Sequence, residues 1–454
     1  MEDLSVVSLL IAIVAVALGV RAGRNLYCPL NVVLFFEALT FGGAFLIALE
    51  TPARSRMVFL VSMGMLCTAL GAMAANRLHR FDFRKDLTSF RERETSCVFG
   101  SKAFVSLAYY SFLVGGVIYV AWHLYTGGVP LLSENVAESK IVSLREGGYL
   151  YSRFMRIYLP LLLLIYFVGR GTVLTRRTML VLPAGLFIVL TLTVSGFRGY
   201  VVSFLAIPLA MMVGYHKIPR RTLVWISLAG FVSVLLVTYM SLARGSDLQD
   251  TLETISSRTF DGPVRTGMEF VLYQCLPAWG FLHGQTAVMD FSAYLSRLGL
   301  GPSDLENFAQ YVASLQVRGN PYGVQVAITL MGEAYANFAF PGLVLIMFLY
   351  GYSIQWLYVR ILRSAKDILW FPLMVYVQFA LILAYQGPFV FTFWRNLLPC
   401  WFSLASFTDF ICFGACPSAA RILLPALSEN SAEDRKRAPG PCPVGHPRAV
   451  GNEW

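Results

Sequence analysis

Repeated long apolar runs constrain the fold of this chain more than any other feature of its sequence. The first is SVVSLLIAIVAVALGV, and similar runs recur through the chain. Runs of about 17–25 apolar residues are long enough to cross the hydrocarbon core of a bilayer as a helix. Of the 454 residues, 57% are hydrophobic and only 14% are charged, whereas soluble domains carry about a quarter charged residues. The sequence therefore predicts an all-α, polytopic integral membrane protein.

The hydropathy pattern predicts about eleven transmembrane helices. The fifth is short and contains Pro160. The first is expected to be retained as a span, because it has neither a basic n-region nor a small-residue cleavage site. The predicted spans are 4–20, 28–49, 57–76, 103–124, 157–169, 178–195, 199–215, 223–243, 340–359, 369–390 and 396–415.

The distribution of basic residues predicts the orientation of these spans. With the N-terminus outside, most of the 36 lysine and arginine residues fall in inner segments, as the positive-inside bias requires. Residues 244–339 then form one large external loop with short interfacial helices, and connections of that length usually carry function. Residues 1–416 are expected to form the membrane domain. Residues 417–454, which are polar and rich in proline, are expected to form a disordered cytoplasmic tail.

Basic residues on the predicted outer face are almost all arginine, whose planar fork suits phosphate and pyrophosphate. Arg198 lies in SGFRG, with a glycine on one side and another two residues before it, at the outer mouth of two spans. These arginines could also have no role in substrate binding, for two reasons. Arginines at span ends often reach lipid phosphates, and a GC-rich genome favours arginine codons. The candidate pyrophosphate-binding residues are Arg198, Arg244, Arg258, Arg265, Arg318 and Arg395.

The end of the large external loop is predicted to form a helix at the membrane interface that is aimed into the bundle. The stretch YGVQVAITLMGEAYANFAFPG has apolar residues at helical spacing, with Glu333 and Asn337 four apart on one face. A turn is expected at Phe340-Pro341-Gly342, before the ninth span. Earlier in the loop, residues 270–284 are apolar but too short to cross the bilayer, so we expect them to pack on the membrane face or dip into it.

The residues MGEAYANFAFPG (331–342) resemble the glycine-glutamate-x-tyrosine-x-asparagine-phenylalanine signature of oligosaccharide repeat-unit polymerases, the O-antigen polymerase (Wzy) class. SGFRG (195–199) resembles the arginine-bearing turn that these proteins place before a span. LARGSDLQDTLETISSRTFDG (242–262) and FLHGQT (281–286) resemble parts of their large external loop. The similarity of layout covers spans six to eleven. The chain departs from the arginine-x10-glycine pattern of some members, because no external arginine has a glycine eleven residues later.

This resemblance implies a reaction at the outer leaflet of the bacterial inner membrane, with the active site facing the periplasm. A glycan on undecaprenyl pyrophosphate would move to a sugar hydroxyl of a second lipid-linked repeat unit, and membrane lipids would surround the protein. The product would be a lipopolysaccharide O-antigen, a capsule or an exopolysaccharide. A chain-length regulator and a flippase are possible partners. No cofactor, metal or nucleic-acid partner is expected, because the sequence shows no nucleotide motif and no metal-ligand spacing.

Such a metal-independent transfer needs a group that takes the proton of the acceptor hydroxyl. Glu333 is the first candidate for this catalytic role. The rival candidates are His283, Asp261 and Glu269. Glu333 could instead be a surface carboxylate paired with an arginine. The residues expected to contact the glycan, by stacking or hydrogen bonding, are Tyr335, Asn337, Tyr322 and Trp394.

Three other functions stay open for the chain. An O-antigen ligase would use a similar large loop, whereas a lipid-linked oligosaccharide flippase or other transporter should have short loops and an internal repeat. A structural scaffold is the third. Glu37 and Asp409 lie inside predicted spans, where acids should face the bundle interior or water. They would couple ions in a transporter, and in an enzyme they would hold neighbouring helices.

Overall fold

The computed structural model describes part of the chain, and all of that part belongs to the first of two compact units, Met1–Trp401 and Phe402–Trp454. The continuous described ranges are 2–23, 28–94, 102–128, 267–297, 308–316, 328–364, 366–368 and 370–385. The single described residues are 161, 164, 165, 168, 215, 228, 264, 300, 302 and 306.

Within these ranges the secondary structure is helical. A 3₁₀ turn, Pro52–Arg54, precedes α3, and a π-helical turn, Val271–Cys275, precedes α6. The helices are α1 (Glu2–Gly23), α2 (Pro29–Glu50), α3 (Ser55–Leu78), α4 (Phe83–Glu92), α5 (Lys102–Gly127), α6 (Leu276–Trp279), α7 (Gln285–Arg297), α8 (Phe308–Gln316), α9 (Leu330–Arg363) and α10 (Trp370–Ala384).

The long helices confirm that the chain is a membrane protein. By length and composition, four described helices could cross a bilayer: Leu4–Gly23, Pro29–Glu50, Pro52–Leu78 and Leu330–Arg363. Together with α5 and α10, they coincide with the predicted spans 1 to 4, 9 and 10. The other predicted spans lie largely or wholly outside the described residues, as does most of the large loop before residue 267 and all of the tail. The total of eleven spans therefore stays a prediction.

Helices α3 and α9 pack with their backbones in close contact. A Cβ atom added at Gly71 would lie 2.0 Å from the carbonyl oxygen of Phe348, and one added at Gly351 would lie 2.0 Å from that of Thr68. Glycine is required at both positions, because any side chain would push the two backbones apart. Small residues at a crossing are a common way for helices to associate inside a membrane, where no hydrophobic effect drives them together.

The C-terminal end of α9 contacts the segment that follows α3. Arg363 Nη2 lies 3.0 Å from Asp86 Oδ2, and Arg363 Nη1 donates a hydrogen bond to the carbonyl oxygen of His79 (2.8 Å). Burial, followed by the charges of Arg360 and Arg363, lowers the pKa of His79. Both segments were predicted to lie inside, and their contact agrees with their being on one side of the membrane.

A break divides α9 into two helices, 330–337 and 340–363. Phe338 (φ −134°, ψ 19°) and Ala339 (φ 56°, ψ −154°) have non-helical backbone angles, and Pro341 follows. The predicted turn at 340–342 is therefore real, although it begins two residues earlier. Every residue of 330–337 is buried. The first helix is thus enclosed by protein and does not lie on its surface.

The buried acid Glu37 faces the helix bundle, as predicted. Its side chain is fully buried in α2, and Thr68 Oγ1 of α3 donates a hydrogen bond to Glu37 Oε1 (2.8 Å). Glu37 therefore contributes to the contact between these two helices. Asp409 lies outside the described residues.

Candidate functional site

The helix 330–337 is anchored at its N-terminus to the residue that follows α10. The backbone N–H of Leu330 donates to the carbonyl oxygen of Tyr385 (2.9 Å). Thr329 caps the helix, since its hydroxyl oxygen accepts a hydrogen bond from the N–H of Gly332 (3.2 Å). These contacts set the position of the first helical turn, on which Glu333 lies.

Glu333, Asn337 and Thr286 form a buried polar network. The Thr286 hydroxyl donates to Glu333 Oε1 (2.9 Å) and accepts a hydrogen bond from Asn337 Nδ2 (2.7 Å). Asn337 Nδ2 also donates to the carbonyl oxygen of Glu333 (2.9 Å). The exposed fractions are 4% for Glu333, 4% for Asn337 and 1% for Thr286. This confirms that Glu333 and Asn337 share a face of the helix, and it shows that the face is covered by protein.

Residues 282–284 of the FLHGQT stretch complete the C-terminal end of the same helix. The N–H groups of Leu282 and His283 donate to the carbonyl oxygens of Ala336 (3.0 Å) and Asn337 (2.9 Å). The N–H of Gly284 donates to Asn337 Oδ1 (2.9 Å). The last carbonyls of any helix have no partner within the helix. Here the usual donor to Asn337 would be residue 341, a proline without an N–H, so the loop supplies that hydrogen bond.

This loop has the backbone angles of a tight turn. His283 has a φ of 47° and Gly284 a φ of 88°. Glycine adopts such an angle without strain, whereas histidine does so at some cost. The His283 side chain is exposed. The turn therefore places an exposed imidazole beside the end of the Glu333 helix while its backbone is bonded to that helix.

A second face of the helix 330–337 contacts Arg56 at the start of α3, whereas Arg54 of the preceding 3₁₀ turn contacts residues 269 and 273. Arg56 Nη2 donates a hydrogen bond to the Tyr335 hydroxyl, and the guanidinium carbon lies 5.7 Å from the centre of the Tyr335 ring. Arg54 lies 3.9 Å from the centre of the Tyr273 ring, and its Nε is 2.9 Å from Glu269 Oε1. Burial raises the pKa of Tyr273, an effect that Arg54 partly offsets.

Apolar packing behind the network holds the two parts of the large loop against the helix. Val271, Phe308, Val312, Ile328 and Ala336 form one buried cluster. Ala336 belongs to the helix 330–337, whereas Phe308 and Val312 belong to α8. The site is therefore supported by helices from both ends of the described loop.

The structure brings together some of the predicted site residues. Glu333 and Asn337 are in direct contact, and Tyr335 points to a different face, as predicted. His283 is adjacent through its backbone, and Glu269 pairs with an arginine. The predicted site residues outside the described part are Arg198, Arg244, Arg258, Arg265, Arg318, Arg395, Asp261, Tyr322 and Trp394. Among the described residues, no group of three or more His, Cys, Asp or Glu side chains could hold a metal ion.

Three residues of this region were missed by sequence reasoning. Thr286 ends the FLHGQT stretch, but nothing in the stretch marks its hydroxyl as a partner of Glu333. Arg54 and Arg56 lie in the short predicted outer connection 50–56. Their spacing of two residues in a predicted outer loop was a usable signal, although the connection is far shorter than the loops that usually carry function.

Comparison with known proteins gives one match. The family model described as "Putative O-antigen polymerase" matches residues 33–391, which is more than half of the chain and includes the whole network around Glu333. No curated protein and no solved structure matches the chain.

Proposed function

The chain belongs to the O-antigen polymerase family, and from this membership we propose that it transfers a glycan from undecaprenyl pyrophosphate to a second lipid-linked repeat unit. At the level of the family, the protein is a multi-pass membrane enzyme that polymerises repeat units in polysaccharide biosynthesis. The family match over residues 33–391 is the observation that carries the proposal. We also propose the bacterial inner membrane as its location, with the site facing the periplasm.

The proposed step is a displacement at the anomeric carbon of the donor glycan. The hydroxyl oxygen of the acceptor sugar forms a bond to that carbon, and the carbon–oxygen bond to the pyrophosphate breaks. The bonding electrons leave with undecaprenyl pyrophosphate, and the hydroxyl proton passes to a base on the protein. The step therefore requires one proton acceptor and cations that stabilise the departing diphosphate.

We propose Glu333 as the proton acceptor. Its carboxyl group receives a hydrogen bond from the Thr286 hydroxyl (2.9 Å), which orients one of its oxygens. A base must come within about 3 Å of the proton that it removes, yet Glu333 is only 4% exposed. The turn at 280–286 covers this face, so the proposal requires that turn to move when the acceptor binds. His283, exposed on the same turn, is the rival base.

We propose that arginines supply the cations without a metal or cofactor. Arg198, Arg244 and Arg258 lie at the predicted outer mouths of successive spans, and Arg265, Arg318 and Arg395 are further candidates. Replacing an arginine by lysine keeps the charge but loses the two-pronged contact. Arg→Lys changes at the first three positions should each lower polymer yield at constant protein level. Full polymer from all three variants would contradict this assignment.

The function is tested with purified protein in proteoliposomes that contain lipid-linked repeat units. We expect a ladder of longer lipid-linked glycans, resolved on a gel. A ligase would instead transfer glycan to lipid A core when this acceptor is added, and a flippase would move single repeat units across the bilayer without lengthening them. Either of these results in the absence of a ladder would contradict the polymerase assignment.

The base is tested with Glu333→Gln, which keeps the size of the side chain but removes the proton acceptor. We expect polymerisation per unit of protein to fall about 10²–10⁴-fold, with single repeat units accumulating. Glu306→Gln is the matched control, because Glu306 is an exposed carboxylate of the same large loop. Near-normal polymer from Glu333→Gln protein would remove Glu333 from the mechanism, and His283→Ala would then be the next variant to measure.

A further inference from the structure

Arg54 and Arg56 lie two residues apart, but the structure gives them different surroundings. We propose that Arg56 binds the diphosphate of the polyprenyl-linked substrate, an assignment that rests on the function proposed above. Arg56 was not among the arginines that the sequence singled out. Three features of its surroundings support the assignment: its charge balance, its exposure and its neighbours.

The first feature is charge. Arg54 lies 2.9 Å from Glu269, so the carboxylate neutralises its charge. Among the described residues, the hydrogen-bond partner of Arg56 is the neutral phenol of Tyr335, which orients the guanidinium without cancelling its charge. Of the two arginines, Arg56 is therefore the one whose positive charge remains available to an anion.

The second feature is exposure and hydrogen-bonding capacity. The Arg56 side chain is exposed, whereas its partner Tyr335 is only 4% exposed. The buried phenol fixes one edge of the guanidinium, which carries five N–H donors in a rigid plane. Tyr335 takes one donor, so most of the fork can reach a ligand. A pre-positioned arginine fork is well suited to the paired oxygens of a diphosphate.

The third feature is the environment along the adjoining helices. Phe59 lies one turn after Arg56 on α3 and stacks on Phe340, with 6.2 Å between ring centres. Phe281 exposes 41% of its surface, and its ring centre lies 5.9 Å from that of Tyr335, the partner of Arg56. An exposed aromatic side chain next to the residue that fixes the cation matches a molecule that joins an anionic diphosphate to an isoprenoid chain. Tyr335 and Glu333 lie on different faces of the same helix, so one helix positions both the cation and the proposed base.

A phosphate ester at Arg56 could come from the substrate or from an ordinary phospholipid headgroup. The experiment therefore measures binding of two probes to purified protein in zwitterionic nanodiscs. The probes are a short-chain polyprenyl pyrophosphate and phosphatidylglycerol. The variants are Arg56→Gln, Arg56→Lys and, as the matched control, Arg54→Gln. A fourth variant, Tyr335→Phe, removes the hydrogen bond to the Arg56 guanidinium while keeping the packing of the ring. Thermal unfolding of each variant confirms that it is folded.

Arg56→Gln is expected to weaken binding of the polyprenyl pyrophosphate about 10–100-fold, as for loss of charge-assisted hydrogen bonds. Arg56→Lys should fall between this variant and the wild type, and Tyr335→Phe should weaken binding by a smaller factor. Arg54→Gln and phosphatidylglycerol binding should change little. An unchanged Kd in Arg56→Gln overturns the proposal. An equal loss in Arg54→Gln, or an equal loss for phosphatidylglycerol, overturns it as well, because the effect would then be general electrostatics or lipid contact.

This assay does not depend on polymer formation. If the wild type binds polyprenyl pyrophosphate through Arg56 but never lengthens a glycan, the proposed polymerase function fails and the binding site stands. If polymer forms normally in Arg56→Gln, the function stands and the binding site fails. The two proposals can therefore be refuted separately.

Discussion

Replacing Thr286 by valine tests the network at its centre, because valine keeps the shape of threonine and removes only the hydroxyl. The change removes the hydrogen bond to Glu333 Oε1 (2.9 Å) and the one from Asn337 Nδ2 (2.7 Å). Loss of a buried hydrogen bond costs about 1–3 kcal/mol. Asn337 Nδ2 keeps its bond to the Glu333 carbonyl (2.9 Å), so the larger part of the cost comes from the lost bond between Thr286 and Glu333.

We therefore expect a total effect of about 3 kcal/mol. If this free energy is lost only in the transition state, because Glu333 is no longer correctly oriented, kcat falls about 100-fold while KM changes little. If it appears only as lost stability, the melting temperature falls and turnover per folded molecule is unchanged. The assay measures both quantities on the same preparation: thermal unfolding in detergent and polymer formed from lipid-linked repeat units.

Thr286→Ser is the matched control, because it keeps the hydroxyl and loses only a methyl group. It should recover most of the activity that Thr286→Val loses. Wild-type kcat in Thr286→Val, or equal losses in the valine and serine variants, would refute the view that the hydroxyl positions Glu333 for the reaction.

Three further predictions concern the fold. Ser256→Cys and Ser428→Cys are each expressed in a background without accessible native cysteines, and intact spheroplasts are treated with an impermeant thiol reagent. The reagent should label Ser256→Cys and not Ser428→Cys; the opposite result would show that the orientation is inverted. Gly351→Ala should lower the melting temperature, at a cost of about 1–3 kcal/mol, because its Cβ would lie 2.0 Å from a backbone oxygen. Gly42→Ala, whose Cβ meets nothing within 4 Å, should not. Folding lowers the pKa of His79 from 6.5, so the folded state favours the neutral ring. The melting temperature should therefore fall as the pH drops below about 6.5, and it should fall less in His79→Gln.

Local periodicity was enough to predict the polar face of the helix 330–337. Glu333 and Asn337 are four residues apart, and helical geometry alone places them together. The proline at position 341 likewise predicted a break close to where it occurs. Such features depend on residues within one or two turns of each other, so a single sequence contains the information needed to find them.

Contacts between distant segments could not be predicted in this way. Thr286 is 47 residues from Glu333, and Arg56 is 279 residues from Tyr335. Hydrophobic periodicity says which face of a helix is covered, but it does not say which segment covers it. The interfacial position of the Glu333 helix stays a prediction, but its polar residues are hydrogen-bonded by a loop that the pattern could not pair with it.

The break in α9 connects the local sequence to the distant contact. A continuous helix would satisfy the carbonyl of Asn337 from residue 341, but Pro341 has no N–H to donate. The carbonyls of Ala336 and Asn337 are buried at this point and require donors from elsewhere. The turn at 282–284 provides them, with N–H groups at 3.0 and 2.9 Å. Once that turn is bonded to the helix end, Thr286 follows within one turn of α7 and reaches Glu333. Pro341 thus does more than end a helix. Because it donates no hydrogen bond to Asn337, that carbonyl accepts one from the FLHGQT loop, and this bond helps to hold the loop beside the proposed base.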